Sequence, residues 1–225
     1  MSVGIRMKLN EGFYLRNPQD TEIGRSIIKY SIRLIHEIGL EAFTFKKLAA
    51  EINSTEATIY RYFENKHNLL FYLVSWYWEW INYLIYVNTQ NISDPIQKLK
   101  IVIHSFIVAR MDNPDIDYVN ESILQKVVIE EGPKVFFTKD IDKENSKGFF
   151  ANYVHLIDTV SQVILEIAPD FLYPHALATN LYDMANNNAY FAEHLPGLTD
   201  IPNSVNTQEE LESMLEKFCA KLLDF

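Results

Sequence analysis

Apolar positions recur at helical rather than strand spacing along most of this chain. Between Pro18 and Gly39, the residues Ile23, Ile27, Tyr30, Leu34 and Ile38 return every three or four positions, with Asp20 or Thr21 as N-cap and Gly39 as a left-handed stop. Thr44 caps a second helix over about 45 to 52, in which Leu48 and Ile52 face inward one turn apart. Asn53-Ser54-Thr55 then makes a short turn, Asn53 being a residue that tolerates positive φ. A third helix runs from about Glu56 to Phe63 with Ile59 and Phe63 on its apolar side. Two short helices joined by such a turn and laid on a longer one predict a helix-turn-helix.

From Lys66 onward the pattern predicts long helices over about 66–89, 95–111, 116–130, 146–167, 174–194 and 207–224. Breakers separate them at Asp94-Pro95, Pro114, Gly132-Pro133, Pro169, Pro174 and the run PGLTDIPN. Only the first residues depart from helical spacing. Val3, Ile5, Met7 and Leu9 alternate with small or polar residues, Asn10-Glu11-Gly12 is turn-prone and FYLR follows, which predicts a short β-hairpin. Its first reading is an ordered arm packed on the body; its second is a mobile arm that carries Arg6, Lys8 or Arg16 to DNA. The fold expected is all-α, about nine helices in total, with an N-terminal arm (1–19), a helix-turn-helix domain (20–65) and a helical bundle (66–225).

Composition narrows the function classes. Apolar residues make up 48% and charged residues 22% of 225, as in a soluble globular protein, and only 7 Gly and 8 Pro are present. Phosphate-cradling loops and turn-rich β architectures use more glycine. A single cysteine, Cys219, excludes an internal disulfide and a multi-Cys zinc site, and reads as a small apolar side chain. The start MSVGIRMKLNEG has no apolar core of a secretory signal. FYLVSWYWEWINYLIYV, residues 71 to 87, falls short of the roughly 20 residues a membrane span needs. Ser75, Glu79, Asn82 and Tyr86 also draw a polar stripe down it. A cytoplasmic protein without a membrane partner is expected.

The charge is unevenly placed. Residues 1–66 hold 10 Lys/Arg against 8 Asp/Glu, whereas the whole chain carries a net charge of -10, so only the N-terminal third is suited to a polyanion. Within that third, two helices begin with cations: Lys46-Lys47 after Thr44, and Lys66-His67 after Asn65. A cation in the first turn typically costs about 0.3–1 kcal/mol. Helix N-termini present free N–H groups to anions, so an added lysine makes a phosphate site. On the third helix, Ile59 and Phe63 inward leave Glu56, Ala57, Thr58, Tyr60 and Arg61 for the outer face. Thr58 and Tyr60 offer hydroxyls to phosphates, Arg61 suits phosphate or guanine, and Ala57 permits close approach or a thymine-methyl contact. Glu56 either complements the helix dipole or accepts from cytosine N4.

The segment FTFKKLAAEINSTEATIYRYFENKHNLL, residues 43 to 70, resembles the DNA-binding segment of the TetR family of transcriptional regulators (TetR/AcrR type), the likeness covering about residues 22 to 70. By that resemblance Thr44, Tyr60, Tyr62 and Lys66 fall where the family contacts phosphates, and Lys46, Glu56, Ala57 and Thr58 where it contacts bases. Two positions depart from the family pattern: Asn53 replaces the usual Gly, and Ser54 an apolar residue.

The resemblance further implies a homodimer on a palindromic double-stranded DNA operator, built here from about 174–194 and 207–224, where Leu211, Met214, Leu215, Phe218 and Leu222 form one stripe. It implies a small-molecule effector pocket among the central helices. Trp76, Trp80, Tyr83 and Phe106 are candidate walls, with Phe149, Phe150 and Tyr153. Glu79, Asn82, His104 and His155 are candidate polar contacts, and the aromatic abundance suggests an apolar or aromatic effector. Residue by residue, ordinary core packing competes with each assignment.

The function expected is a ligand-responsive repressor, with no catalytic residues, cofactor or metal. The rival is an all-helical apolar-ligand carrier or enzyme whose head is merely structural. Against catalysis, the chain has no Gly-rich phosphate loop, no H-E-x-x-H helix and no G-x-S-x-G elbow. A third reading is a protein-interaction module with a degenerate head.

Overall fold

The computed structural model describes residues 5–225, and those residues form helices and no strand. In chain order the α-helices are α1 (Glu22–Ala42), α2 (Phe45–Glu51), α3 (Glu56–Tyr60), α4 (Lys66–Thr89), α5 (Pro95–Val108), α6 (Glu121–Glu131), α7 (Pro133–Phe136), α8 (Ile141–Ser146), α9 (Ala151–Ile167), α10 (Pro174–His194) and α11 (Thr207–Leu223). No helix among the described residues is long and apolar enough to cross a membrane. The all-α class is as expected, and α4 and α10 span the residues their periodicity predicts.

Four local features differ from expectation, each for a stereochemical reason. The β-hairpin is absent over residues 5–16, where a short 3-10 turn stands at Glu11–Phe13 and is followed by another at Pro18–Asp20; Val3 lies outside the described residues. Side chains take the backbone groups a strand partner would use: Met7 N–H donates to Gln19 Oε1 (3.0 Å), Gln19 Nε2 to Met7 O (2.9 Å) and Asn152 Nδ2 to Lys8 O (3.0 Å). With Met7, Leu9 and Phe13 buried, the segment is the packed arm of the first reading.

Pro133 opens α7 instead of only ending α6, because the first helical position needs no N–H. Helix α6 begins at Glu121, five residues later than 116, where Asn120 accepts from Ile123 N–H (2.8 Å) and Asp112 from Ser122 N–H (3.0 Å). The helix predicted from 146 begins instead at Ala151: a separate helix, α8, ends at Ser146, and Gly148 turns the chain at φ +74°.

The chain divides into two compact units, Met1–Trp80 with Arg110–Tyr153, and Ile81–Ala109 with Val154–Phe225. They cut the chain differently from the functional division at residue 65. The first unit contains α1–α3, most of α4 and α6–α8, and its centre is aromatic. Phe71 packs against Phe13, Phe149 and Phe150 at ring separations of 5.8, 5.1 and 5.3 Å. Trp78 stacks on Tyr153 at 4.6 Å. In the second unit α5, α10 and α11 pack together, with Phe106 edge-on to Tyr182 at 5.7 Å. Leu211, Leu215, Cys219 and Leu223 form the inward row of α11, and burial pushes the Cys219 thiol up to about 12, as suits an inert packing residue. The predicted stripe on α11 therefore separates into two neighbouring rows: Met214 is half-buried, and Phe218 and Leu222 are exposed on the flank of the inward row.

Candidate nucleic-acid interface

Each element of the head is set by a short-range rule visible in its own residues. Thr44 caps α2 by accepting from Lys47 N–H (3.2 Å). Asn53 takes φ +50°, so the chain reverses between α2 and α3 without glycine, and Ser54 N–H closes the turn on Ala49 O (2.8 Å). Thr55 caps α3 through Thr58 N–H (3.3 Å), and the two threonine hydroxyls lie 3.0 Å apart. Ile59 and Phe63 are fully buried and hold α3 to the body of the head.

That packing leaves Ala57, Tyr60 and Arg61 exposed and Glu56 and Thr58 half-buried on α3. Thr44, Lys46 and Lys47 are exposed at the start of α2. Tyr60 leans edge-on against Phe45 at 5.0 Å while keeping 49% exposure. Of the base-reading candidates, Lys46 and Ala57 are therefore exposed, and Glu56 and Thr58 are half-buried beside Ala57 in sequence.

Tyr62 is not part of that surface. It is 1% exposed, its hydroxyl lies 2.8 Å from Thr21 Oγ1, and the Arg16 guanidinium sits 5.5 Å from its ring centre. The assignment of Tyr62 to phosphate contact is corrected on this ground: its polar end is already bonded inside the fold. Arg16 and Arg6 of the arm are likewise engaged, Arg6 in an ion pair with Asp20.

The two lysines that begin helices have partners the sequence does not reveal. Lys66 Nζ donates to Leu40 O (2.8 Å) and Glu41 O (3.2 Å), and Lys47 Nζ to Ala42 O (2.8 Å). Those carbonyls lie at the end of α1, beyond Gly39, whose φ of +73° and ψ of 158° break the helix in a region essentially restricted to glycine. The predicted stop falls at Gly39 as expected, and its geometry leaves acceptors free for the two ammonium groups. Asn65 caps α4 through Asn68 N–H (2.8 Å), and His67 Nε2 lies 2.7 Å from Glu144 Oε1 of α8. His67, unexplained by its sequence context, thus joins α4 to α8.

The predicted effector contacts are divided between the two units. In the first unit, Trp76 and Trp80 are buried and stacked at 6.1 Å, Phe149 and Phe150 are taken up in the aromatic centre with Tyr153, and Glu79 accepts from Asn152 Nδ2 (2.7 Å). In the second, Phe106 is core, Asn82 is buried and Tyr83 half-buried. His104 and His155 are exposed, His104 pairing with Glu212 at 2.8 Å, so neither is a polar contact inside an apolar cavity. The stripe on α4 also differs from expectation, since Ser75 and Asn82 are buried while Tyr86 is 65% exposed.

Sequence reading missed buried polar atoms of the first unit that have no hydrogen-bond partner, among them Ser75 Oγ, the Tyr77 hydroxyl and Glu121 Oε1. Burial pushes the Glu121 carboxyl up to about 7, against the N–H of Asn113 that donates to its other oxygen (3.3 Å), and burial also raises Tyr77. A hydrophobic run containing Ser, Tyr and a later Glu gives no sign in sequence that these groups end up without partners.

The fold and the exposed α2–α3 surface define a helix-turn-helix protein with an all-helical body. Residues 27–73 match the family model of bacterial regulatory proteins, tetR family, and the N-terminal head belongs to that family. Solved structures similar to the chain include AibR in complex with isovaleryl coenzyme A and operator DNA (18% identity, 86% of this chain and 96% of that one, TM-score 0.61). The superantigen PfiT is also similar (14%, 86% and 95%, 0.59), as is the fatty acid degradation regulator FadR from Bacillus halodurans (16%, 88% and 93%, 0.59). At these identities the likeness is one of fold. No curated protein matches the chain.

Proposed function

We propose that the chain is a transcriptional repressor that binds a palindromic operator as a homodimer, one α3 entering the major groove of each half-site, and leaves it when a small molecule occupies the body. The observation that carries this reading is the surface formed by Lys46, Ala57, Tyr60 and Arg61, exposed on two short helices whose inner residues Leu48, Ile59 and Phe63 are fully buried. A structural head has no need to hold a small residue, a hydroxyl and two cations outward on fixed backbone. Ala57 gives close approach to a base edge, Thr58 and Glu56 supply acceptors beside it, and Arg61 and Tyr60 reach phosphate or guanine.

Two further features support the finer parts. The outward row Met214, Phe218 and Leu222 on α11 is an apolar face suited to a second copy, and α10 with α11 is the pair of helices assigned to the dimer. Ser75, Tyr77 and Glu121 offer unsatisfied polar atoms beside buried aromatics, the composition of a site for an apolar or aromatic effector with one polar group. AibR, of similar fold, is known with both a coenzyme A thioester and operator DNA.

The test is binding to DNA from around the chain's own gene as salt is varied. A specific regulator prefers one site over random DNA and shows a log affinity that falls linearly with log salt, about 0.9 per phosphate neutralised. Equal, weak binding to every sequence would favour the ligand-carrier reading.

A further inference from the structure

We propose that Glu131, at the end of α6, is a positioning residue for the helix-turn-helix: it clamps the corner between α1 and α2 and so fixes the direction in which α2 and α3 present their outer face. The inference rests on the DNA-binding reading for its consequence and on geometry for its mechanism.

The corner is residues 39 to 43. Because Gly39 leaves the helical region, the N–H of Leu40 lacks its place in the α1 ladder, and it donates instead to Glu131 Oε1 at 2.9 Å. Glu131 is 8% exposed, so this is a buried, charge-assisted bond reaching across 91 residues of sequence. The same carboxylate lies 2.6 Å from Lys134 Nζ, and Lys134 lies 3.3 Å from the Glu41 carboxylate, so α6 and α7 hold the corner by one amide and one ion-pair bridge. Bonding to Glu131 raises the Lys134 ammonium above its ordinary value, which keeps the bridge charged. A side chain at 39 would meet Glu131 Oε1 at 3.4 Å and would need a positive φ, so glycine and glutamate are matched to each other.

Movement of the corner is passed on through aromatic contacts. Phe43, fully buried, is edge-on to Phe45 at 6.3 Å, and Phe45 is edge-on to Tyr60 at 5.0 Å on α3. Thr44, the cap of α2, stands between those two phenylalanines. A shift of Leu40 therefore displaces the residues that seat α3, and a shift of the end of α6 displaces Leu40.

The experiment compares full-length parent, Glu131→Ala and Glu131→Gln by amide hydrogen exchange and operator binding. Glu131→Gln keeps an oxygen for the Leu40 N–H, whereas Glu131→Ala removes it. For Glu131→Ala the expected result is exchange about tenfold faster over residues 40–51 with α9–α11 unaffected, and operator affinity about tenfold weaker, about 1.4 kcal/mol. The slope of affinity against salt stays at the parent value, since no phosphate contact is removed. Glu131→Gln restores most of both. Unchanged exchange at the corner, or exchange that rises evenly over the whole chain, overturns the proposal, as does a slope that falls with the affinity. If the parent itself shows no sequence preference, the DNA-binding reading fails, and the exchange pattern alone decides whether Glu131 clamps the corner.

Discussion

Replacing Lys66 by Met removes an ammonium group and keeps the aliphatic stem, so it isolates the bonds that Lys66 makes. In the free protein these are two, to Leu40 O at 2.8 Å and Glu41 O at 3.2 Å. A hydrogen bond from a charged donor is worth about 1.5–3 kcal/mol net when buried. Lys66 is only half-buried and water can replace it at both carbonyls, so the pair together contributes about 1–2 kcal/mol. For a chain of this size that loss lowers the melting temperature by roughly 2–8 °C. An ammonium has three donors, and the third remains for a phosphate. Lys66→Met is therefore expected to do two things at once: lower the melting temperature by that amount, and flatten the salt dependence of operator binding by roughly two, about 0.9 for each half-site of a dimer. Scanning calorimetry and fluorescence anisotropy over a salt series read the two effects separately. An unchanged melting temperature would refute the carbonyl clamp. An unchanged slope would remove Lys66 from the phosphate set and leave it as a structural residue.

Glu121 predicts a pH dependence of stability. Its carboxyl is pushed from 4.5 to about 7 by burial, so the folded state holds a proton that the unfolded state releases between those values. Stability is then fully present below about pH 4.5 and is lost as pH rises through about 7, by an amount on the order of 2–3 kcal/mol. Glu121→Gln should flatten the profile in urea melts and be the more stable protein at about pH 8; a parent whose stability is level over that window would show that the carboxyl is not held protonated. Tyr62→Phe deletes the hydroxyl bonded to Thr21 and should cost about 1 kcal/mol of stability with no change in salt slope. A slope lower by about two would return Tyr62 to the phosphate contacts.

Where periodicity runs long and its ends carry caps or prolines, the chain was readable: Lys66–Thr89 and Pro174–His194 follow from spacing and flanking residues alone. The helix-turn-helix was readable for a related reason, since Thr44, Asn53 and Thr55 act on residues within four positions of themselves. What could not be read is what depends on distant partners. Ile5 to Leu9 have the alternation of a strand, and the side chains of Gln19 and Asn152 take the backbone groups of Met7 and Lys8 that a strand partner would use. Phe149 and Phe150 satisfy the requirements of a pocket wall and of a packed core equally, and the position of Phe71 decides between them. Pro133 stops one helix and starts another, and sequence marks only the stop.

The cations at the helix starts show the same limit in energetic form. Judged helix by helix, Lys47 and Lys66 each face a partial positive charge and should weaken α2 and α4. Three helix ends meet here, however, and the third is of opposite sign: the carbonyls of Leu40, Glu41 and Ala42 past the kink at Gly39. The ammonium groups lie between the N-terminal ends of α2 and α4 and the C-terminal end of α1, so the repulsion from their own helices is offset by bonds to a neighbour. Holding the lysines in place also reduces the side-chain entropy that a phosphate contact has to overcome, up to about 2 kcal/mol for a free lysine. Fold stability and phosphate binding are therefore not alternative explanations of Lys47 and Lys66. Carbonyls engage part of each ammonium, and the donors left over are the ones available to the phosphate contact proposed for this head.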